Sequence, residues 1–194
     1  MLRIYLAGPD VFRPAAKAIG QRKQEMCAAA GTLGVFPLDT ELDLSGYARG
    51  QDKGYAIAIA NETLMRGCDA IIANLTPYRG ASADAGTAFE LGFMRALGKP
   101  CFAYSNSAVN FYDRVSVTHK PSVAEDGWHR DGDGNALENF DLVDNLMLDG
   151  AVNASTGGKG TITTVAATDP ACFSGFQAVL DSEVFKAFVT QKKV

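Results

Sequence analysis

Residues 69–75 (DAIIANL) constrain the fold more than any other segment of the chain. Apolar residues follow one another there, without the polar alternation of a strand that has one face in water. A continuous apolar run of strand length is expected where helices cover both faces of a parallel sheet. The segment therefore predicts a buried strand inside a layered α/β fold.

The segments around this strand alternate between strand-like and helix-like patterns. Short apolar runs that end near turn residues predict further strands at residues 2–7, 35–36 and 100–104. Apolar residues at helical spacing predict helices at residues 14–30, 55–65, 84–97, 137–148 and 173–189. The β-α-β-α-β-α-β order predicts an α/β fold, a Rossmann-like (flavodoxin-like) three-layer sandwich with a parallel sheet.

We expect residues 1–194 to form a single domain, because this length suits one hydrophobic core. Residues from about 105 to 137 are polar and rich in turn formers, which predicts an insertion. Residues from about 149 to 171 are dominated by Gly, Ala, Ser and Thr, which predicts a mobile or partly disordered loop. Ligands of parallel sheets bind beyond the carboxyl ends of the strands, so the segments to search are residues 5–12, 37–41 and 75–90.

Charge and hydropathy exclude several classes of partner. The formal net charge is −4, and no Lys/Arg run is longer than Lys192-Lys193, whereas nucleic-acid polymers call for a clustered basic face. No stretch has the apolar length of a membrane span, and the amino terminus does not resemble a signal peptide. We therefore expect a cytoplasmic protein that binds a small ligand, with neither a nucleic-acid polymer nor a membrane as partner.

The sequence gives no sign of a metal or another cofactor. The four cysteines are widely spaced, form no C-x-x-C pair and have no histidine nearby to complete a zinc site. Neither a G-x-G-x-x-G motif nor a P-loop occurs, which disfavours a nucleotide cofactor of those kinds. His119 and His129 lie in the polar insertion without a paired serine or cysteine nucleophile, so a catalytic triad is not expected.

Two carboxylates in the predicted helix at 84–97 are the strongest candidates for chemistry. Asp84 stands at the expected N-cap, and Glu90 follows in the second turn between apolar residues. The simpler interpretation is that Asp84 caps the helix and Glu90 faces solvent. Burial of an unpaired carboxylate is costly, however, and Gly86 and Gly92 leave room for a ligand to approach the helix. We therefore expect both carboxylates to take part in a site.

Tyr5 is the third catalytic candidate, because its hydroxyl at the end of the first strand could orient a carboxylate on a neighbouring helix. Other residues at the same predicted edge have weaker claims as ligand contacts. They are Gly8, Asp10, Phe12, Asp39 and Asn61.

Four motifs, taken together and in order, resemble nucleoside 2-deoxyribosyltransferases over residues 1–148. They are IYLAGP at residues 4–9, FPLD at 36–39, DAGTAFELG at 84–92 and DNLM at 144–147. The helix with the glutamate is only moderately specific, because deoxynucleotide N-glycosidases carry a similar E-L-G. The asparagine motif downstream makes the resemblance more specific.

The resemblance implies a role for each matching residue. Glu90 matches the catalytic nucleophile, Tyr5 the tyrosine that orients it, and Asp84 the aspartate that contacts the base and assists its protonation. Asn145, with Met147 in the same stretch, matches an asparagine that reaches a neighbouring subunit's site and binds the sugar 5′-hydroxyl. The implied partners are a deoxyribonucleoside and a free nucleobase, in a homo-oligomer whose subunits share active sites, with no cofactor and no metal.

The implied reaction suits these groups chemically. A carboxylate captures the anomeric carbon as an ester, and a second base attacks that ester, so two inversions give net retention. The proton donor raises a difficulty, because a helix N-terminus favours an ionised Asp84. Burial or coupling to Glu90 would be needed to keep a proton there.

The sequence departs from the family pattern in two places. Asn61 stands where many members of broad specificity have an aspartate near the base. That change, together with the sequence around Glu90, favours purine transfer. Family chains also often end soon after the asparagine motif with a carboxylate near the active site, whereas this chain runs on to Lys193-Val194. The alternatives are a deoxynucleoside (5′-monophosphate) N-glycosidase that uses the same glutamate, and a non-catalytic nucleotide-binding module.

Overall fold

The computed structural model describes residues 1–39, 42–169 and 172–191. Within these residues, a sheet of five parallel strands forms the centre of the molecule. Its strands, in the order in which they lie side by side, are β2 (Leu33–Val35), β1 (Arg3–Ala7), β3 (Ala70–Asn74), β4 (Cys101–Ser105) and β8 (Thr163–Thr164). The helices are α1 (Ala16–Ala29), α2 (Gly50–Arg66), α3 (Ala85–Ala96), α4 (Phe111–His119), α5 (Leu146–Ser155), α6 (Ser174–Asp181) and α7 (Glu183–Gln191).

The order of the strands fixes where a ligand can enter. The chain leaves β1 towards β2 on one side and returns to β3 on the other, and Tyr5 lies beside both Val35 and Ile71. This reversal opens a crevice beyond the carboxyl ends of β1 and β3, which is the usual binding place on sheets of the flavodoxin-like order. The predicted three-layer α/β fold is confirmed.

Helices cover both faces of the sheet because both sets of alternate strand residues are apolar. Tyr5 and Ile71 point into a core shared with α3 and α5. Ile4 and Ile72 point into the opposite core, which α1, α6 and α7 complete. All five residues of β3 are buried, as its continuous apolar sequence predicts.

The segment after residue 137 differs from its prediction. The helix expected at 137–148 begins only at Leu146, because the side chain of Asn145 caps the first turn and Asp141 adopts a left-handed conformation at φ 56°. The loop expected at 149–171 is wrong over residues 149–155, which continue α5, and at β8, which pairs with β4. Residues 170 and 171 of that predicted loop lie outside the described residues.

The predicted polar insertion contains secondary structure, and the terminal helix differs from its prediction. Residues 105–137 contain α4 and a small antiparallel sheet of β5 (Ser122–Val123), β6 (His129–Arg130) and β7 (Ala136–Leu137). The helix expected at 173–189 is divided into α6 and α7 at Ser182, whose hydroxyl oxygen accepts a hydrogen bond from the amide of Phe185. Among the helices of the described ranges, none has the length and apolar character needed to cross a membrane.

Candidate active site

A cavity of about 290 Å³ lies at the predicted crevice, where the loop after β1, the turn after β2, α2 and the start of α3 meet. Both candidate carboxylates of α3 line it. The full lining consists of Gly8, Val11, Phe12, Pro37, Leu38, Ile57, Asn61, Asp84, Gly86, Thr87 and Glu90.

Two larger surface grooves have less suitable chemistry. A groove of about 520 Å³ between α1 and the α6–α7 pair contains Glu25 and Asp181, which are exposed and hydrogen-bonded to side chains of their own helices. A groove of about 650 Å³ beside α3 and α5 is lined mostly by small and apolar residues and by no carboxylate. The cavity with Asp84 and Glu90 is therefore the candidate active site.

Among the described residues, one hydrogen bond, from a strand of the sheet, holds the carboxylate of Glu90. The hydroxyl of Tyr5, a fully buried residue of β1, donates a hydrogen bond of 2.6 Å to Oε1 of Glu90. Burial is the main reason why the pKa of Glu90 rises to about 7, and the negative charge of Asp84 raises it further, while the Tyr5 hydrogen bond lowers it. Burial and the neighbouring Glu90 also raise the pKa of Tyr5, so its hydroxyl stays a donor. Glu90 can therefore gain or lose a proton near neutral pH.

Asp84 caps α3 and faces the same cavity. Its Oδ2 accepts hydrogen bonds from the amide of Thr87 at 3.0 Å and from the Thr87 hydroxyl at 3.2 Å. Among the described residues, Thr87 is the sole hydrogen-bond donor to Asp84, so Oδ1 is left for a ligand. The capping interpretation is thus correct, yet it accounts for only one of the two oxygens.

The loop after β1 supplies the aromatic wall of the cavity. Gly8 adopts φ 154°, and a Cβ there would stand 2.7 Å from Cβ of Asn74, so only glycine fits this close approach of loop and sheet. Phe12 is 57% exposed and stacks on Tyr78 with ring centroids 5.8 Å apart. A flat apolar face of this kind suits a nucleobase.

Asn61 of α2 lines the cavity, but Asp10 and Asp39 do not line it. Asp10 is buried, and its Oδ2 accepts hydrogen bonds from Nζ of Lys23 at 2.6 Å and from the Asn74 amide at 3.1 Å. Burial alone would raise the pKa of Asp10, but Lys23 and these hydrogen bonds lower it overall. Asp39 accepts from Gln24 and from the amide of Phe36, so it supports the turn rather than faces the cavity.

Asn145 and Met147 also lie away from the cavity of their own chain. Oδ1 of Asn145 accepts from the amide of Met147, and its amide nitrogen donates to Glu138 at 2.8 Å. Met147 is 70% exposed in the groove beside α3 and α5. Their predicted contribution to a neighbouring subunit's site stays a prediction.

The apolar walls of the cavity and one buried charge are not predictable from the sequence. Val11, Leu38 and Ile57 line the cavity, but an apolar residue in a loop or on a helix face gives the same signal whether it faces core or ligand. Asp144 belongs to the DNLM motif and is fully buried, and no local pattern indicates a role for it. Among the described residues, no group of three His, Cys, Asp or Glu side chains could hold a metal ion.

Comparison with known proteins finds relatives in sequence and in fold. Over 165 residues the chain is 32% identical to an uncharacterized protein of Schizosaccharomyces pombe, an alignment that covers 79% of this chain and 78% of the other. The structure of a 2-desoxiribosyltransferase from Leishmania mexicana superposes with a TM-score of 0.61 and 27% identity, over 94% of this chain and 99% of that one. A conserved protein from Enterococcus faecalis V583 shares the fold, with a TM-score of 0.51 and 21% identity over 93% and 97% of the two chains.

The match to a family profile covers all of the residues that line the cavity. The profile described as nucleoside 2-deoxyribosyltransferase matches residues 4–147, from the start of β1 to the first turn of α5. Tyr5, Asp84 and Glu90 all lie inside this range. The chain therefore belongs to the nucleoside 2-deoxyribosyltransferase family.

Proposed function

We propose that this protein transfers a 2-deoxyribosyl group between nucleobases through an ester on Glu90, with net retention at the anomeric carbon. The observation that carries the proposal is the arrangement of Glu90, which the buried Tyr5 hydroxyl orients in a cavity shared with Asp84. A non-catalytic binding module has no need of an oriented carboxylate whose pKa lies near neutrality.

Both half-reactions balance with these two carboxylates. An ionised oxygen of Glu90 attacks C1′ while the C1′–N bond breaks. The electron pair of the C1′–N bond leaves with the base, which takes a proton from Asp84. In the second half, a nitrogen of the incoming base attacks C1′ and the ester C–O bond breaks. Glu90 regains its negative charge, and the proton of the incoming base returns to Asp84.

The raised pKa of Glu90 bears on the difficulty of the proton donor. Burial and the negative charge of Asp84 raise the pKa of Glu90 to about 7, so near neutral pH a proton is available within the cavity. The reaction requires that proton on Asp84. A bound base with a nitrogen acceptor against Oδ1 of Asp84 would favour this state, because the protonated carboxyl then donates a hydrogen bond.

The preferred bases in this proposal are purines. Asn61 offers an amide that both donates and accepts hydrogen bonds, where an aspartate would only accept when ionised. An amide of this kind suits both 6-oxo and 6-amino purines, while Phe12 provides a stacking face. We further propose that the protein acts as a homo-oligomer, in which Asn145 and Met147 of one subunit approach the cavity of another and contact the sugar.

Incubation of the purified protein with 2′-deoxyinosine and adenine, followed by chromatography, tests the proposal. We expect 2′-deoxyadenosine from the native chain and from Glu125→Ala, which removes an exposed glutamate, but not from Glu90→Ala. Mass spectrometry of the rapidly quenched native protein should show one added 2-deoxyribosyl group on the peptide that contains Glu90.

The products also distinguish transfer from hydrolysis, from a pyrimidine preference and from binding without turnover. Free hypoxanthine without 2′-deoxyadenosine would identify a hydrolase. Turnover of thymidine in preference to 2′-deoxyinosine would reject the purine preference alone. Binding of deoxynucleosides without any product, from purine and pyrimidine donors alike, would reject transfer in favour of a binding module.

A further inference from the structure

Asp144 occupies a position from which it organises the approach to the active site. It is fully buried, and its Oδ2 accepts hydrogen bonds from the amide of Ala83 at 3.0 Å and from Nη2 of Arg114 at 3.1 Å. Its Oδ1 accepts from the hydroxyl of Ser82 and from the amide of Asn145. One carboxylate thus ties the start of α5 to the two residues that immediately precede Asp84.

Arg114 completes this arrangement from the polar insertion. Its side chain is only 10% exposed, and its Nε donates to the carbonyl of Ala81 at 2.6 Å while Nη1 donates to the carbonyl of Val109. The guanidinium therefore contacts Asp144 and the loop before Asp84 at once. Residues 81–83 are held through one carbonyl, one hydroxyl and one amide by this single ion pair.

Burial of the ion pair between Arg114 and Asp144 carries a cost in free energy. Two charges taken out of water lose solvation that their attraction only partly restores, and apolar replacements of similar size are often at least as stable. The hydrogen bonds of this pair, however, go to three consecutive loop residues, 81–83, which belong to neither a helix nor a strand. What it supplies is a fixed path for the chain into the N-cap of α3.

We propose that Arg114 and Asp144 are positioning residues that set the placement of Asp84 for proton delivery to the base. The inference rests on the proposed function, and it gives the polar insertion a part in the reaction, because Arg114 belongs to α4. A misplacement of about 1 Å at a reacting group can cost about 10²-fold in rate. Neither residue lines the cavity, so both act through the loop at 81–83.

The test compares two leaving groups in single turnovers. Hypoxanthine must be protonated to leave 2′-deoxyinosine, whereas the base of 7-methyl-2′-deoxyguanosine already carries a positive charge and leaves without a proton donor. Arg114→Lys keeps the charge but loses the forked contact with Ala81 and Asp144, and Asp144→Asn keeps the shape. Arg130→Lys is the matched control, since it alters an exposed pair with Asp126 in the same insertion.

We expect both Arg114→Lys and Asp144→Asn to slow base release from 2′-deoxyinosine by about 10²-fold. Release from the methylated nucleoside, corrected for its spontaneous decay, should stay close to the native rate. Arg130→Lys should leave both rates unchanged. An equal loss with the two substrates would overturn the inference, because a merely structural role lowers the amount of competent enzyme without regard to the leaving group.

Hydrogen exchange separates this inference from the proposed function. Amides in the peptide that spans residues 81–90 should exchange faster in Arg114→Lys than in the native chain or in Arg130→Lys. Unchanged exchange would overturn the positioning role, whatever the activity. If the native protein released neither base, the proposed function would fail, and the role of the pair in proton delivery would fail with it.

Discussion

The hydroxyl of Tyr5 lies 2.6 Å from Oε1 of Glu90, and this contact joins strand β1 to the second turn of α3. Tyr5 is fully buried, so its ring cannot move without disturbing the core. The hydrogen bond favours the ionised form of Glu90 and opposes the effect of burial on its pKa. A residue of the sheet therefore both orients the Glu90 carboxylate and lowers its pKa.

Tyr5→Phe should weaken the enzyme in a way that depends on pH. Loss of a charge-assisted hydrogen bond removes about 1.5–3 kcal/mol of stabilisation, so we expect kcat to fall about 10- to 100-fold. The pKa of Glu90 would rise further, and the rise of kcat/KM that we expect near pH 7 would move to higher pH. Tyr112→Phe, which loses a hydroxyl contact with His129 away from the cavity, serves as the control. An unshifted pH profile would contradict the role of Tyr5.

Glu90→Gln should stabilise the folded protein in alkaline solution. The pKa of Glu90 is raised from its ordinary value of 4.5 to about 7, so its contribution to stability is fully present below pH 4.5 and is lost as the pH rises through 7. Glutamine stays neutral and can still accept from Tyr5. We expect a gain of about 1–3 kcal/mol at pH 8, or about 2–4 °C in Tm for each kcal/mol, which vanishes near pH 4.

Thermal unfolding at a series of pH values measures this effect. Glu125→Gln, at an exposed position, should match the native chain at every pH. A Glu90→Gln protein that is less stable than the native chain at pH 8 would show that the ionised carboxylate is not penalised by its surroundings.

Asp84→Asn separates the two roles of the N-cap residue. Asparagine caps helices as well as aspartate does, so the contact with Thr87 and the Tm should be retained. It cannot supply the proton, and we expect kcat to fall by about 10²- to 10⁴-fold. Asp84→Ala should lose about 1 kcal/mol of stability in addition. If Asp84→Asn transferred at the native rate, capping would be the whole role of this residue.

Continuous apolar runs made the central sheet predictable, and short or polar elements were harder to find. β3 and β4 are buried along their whole length, so their sequences carry an unambiguous signal. β8 has only two residues, both threonine. It forms by pairing with the edge of β4, which is distant from it in the sequence. The start of α5 likewise depends on one capping side chain, Asn145, rather than on helical periodicity.

The part of the candidate site that the sequence predicts is the helix that begins at the ligand-binding edge of the sheet. Glu90 and Asp84 follow β3 on a helix that starts at the ligand-binding edge, and the structure brings them into one cavity. Asp10, a weaker candidate at the same edge, does not line the cavity, because it is paired with Lys23 of α1. A lysine on an amphipathic helix usually faces water, so no local pattern reveals such a partner.

Lys23→Met should be the most destabilising of these substitutions. Lys23 is buried, and its Nζ donates to Asp10 at 2.6 Å and to the hydroxyl of Tyr104 at 2.8 Å. Methionine fills similar space but leaves the buried Asp10 carboxylate with only the more distant Arg13, whose Nε lies 3.8 Å from Oδ1, so we expect a loss towards the lower end of about 3–5 kcal/mol. Lys17→Met, on the exposed side of the same helix, should change stability by no more than about 0.5 kcal/mol.

Urea unfolding of Lys23→Met, of Asp10→Asn and of the double variant measures the coupling between the two residues. The second substitution removes the buried charge, so it should restore part of the stability lost by Lys23→Met. Asp10 and Phe12 belong to the same short helical turn, Pro9–Phe12, so we expect the ion pair to help fix the position of Phe12. A loss below about 1 kcal/mol for Lys23→Met would mean that Arg13, water or a rearranged Asn74 satisfies Asp10 instead, and that this loop does not depend on the Lys23 ion pair.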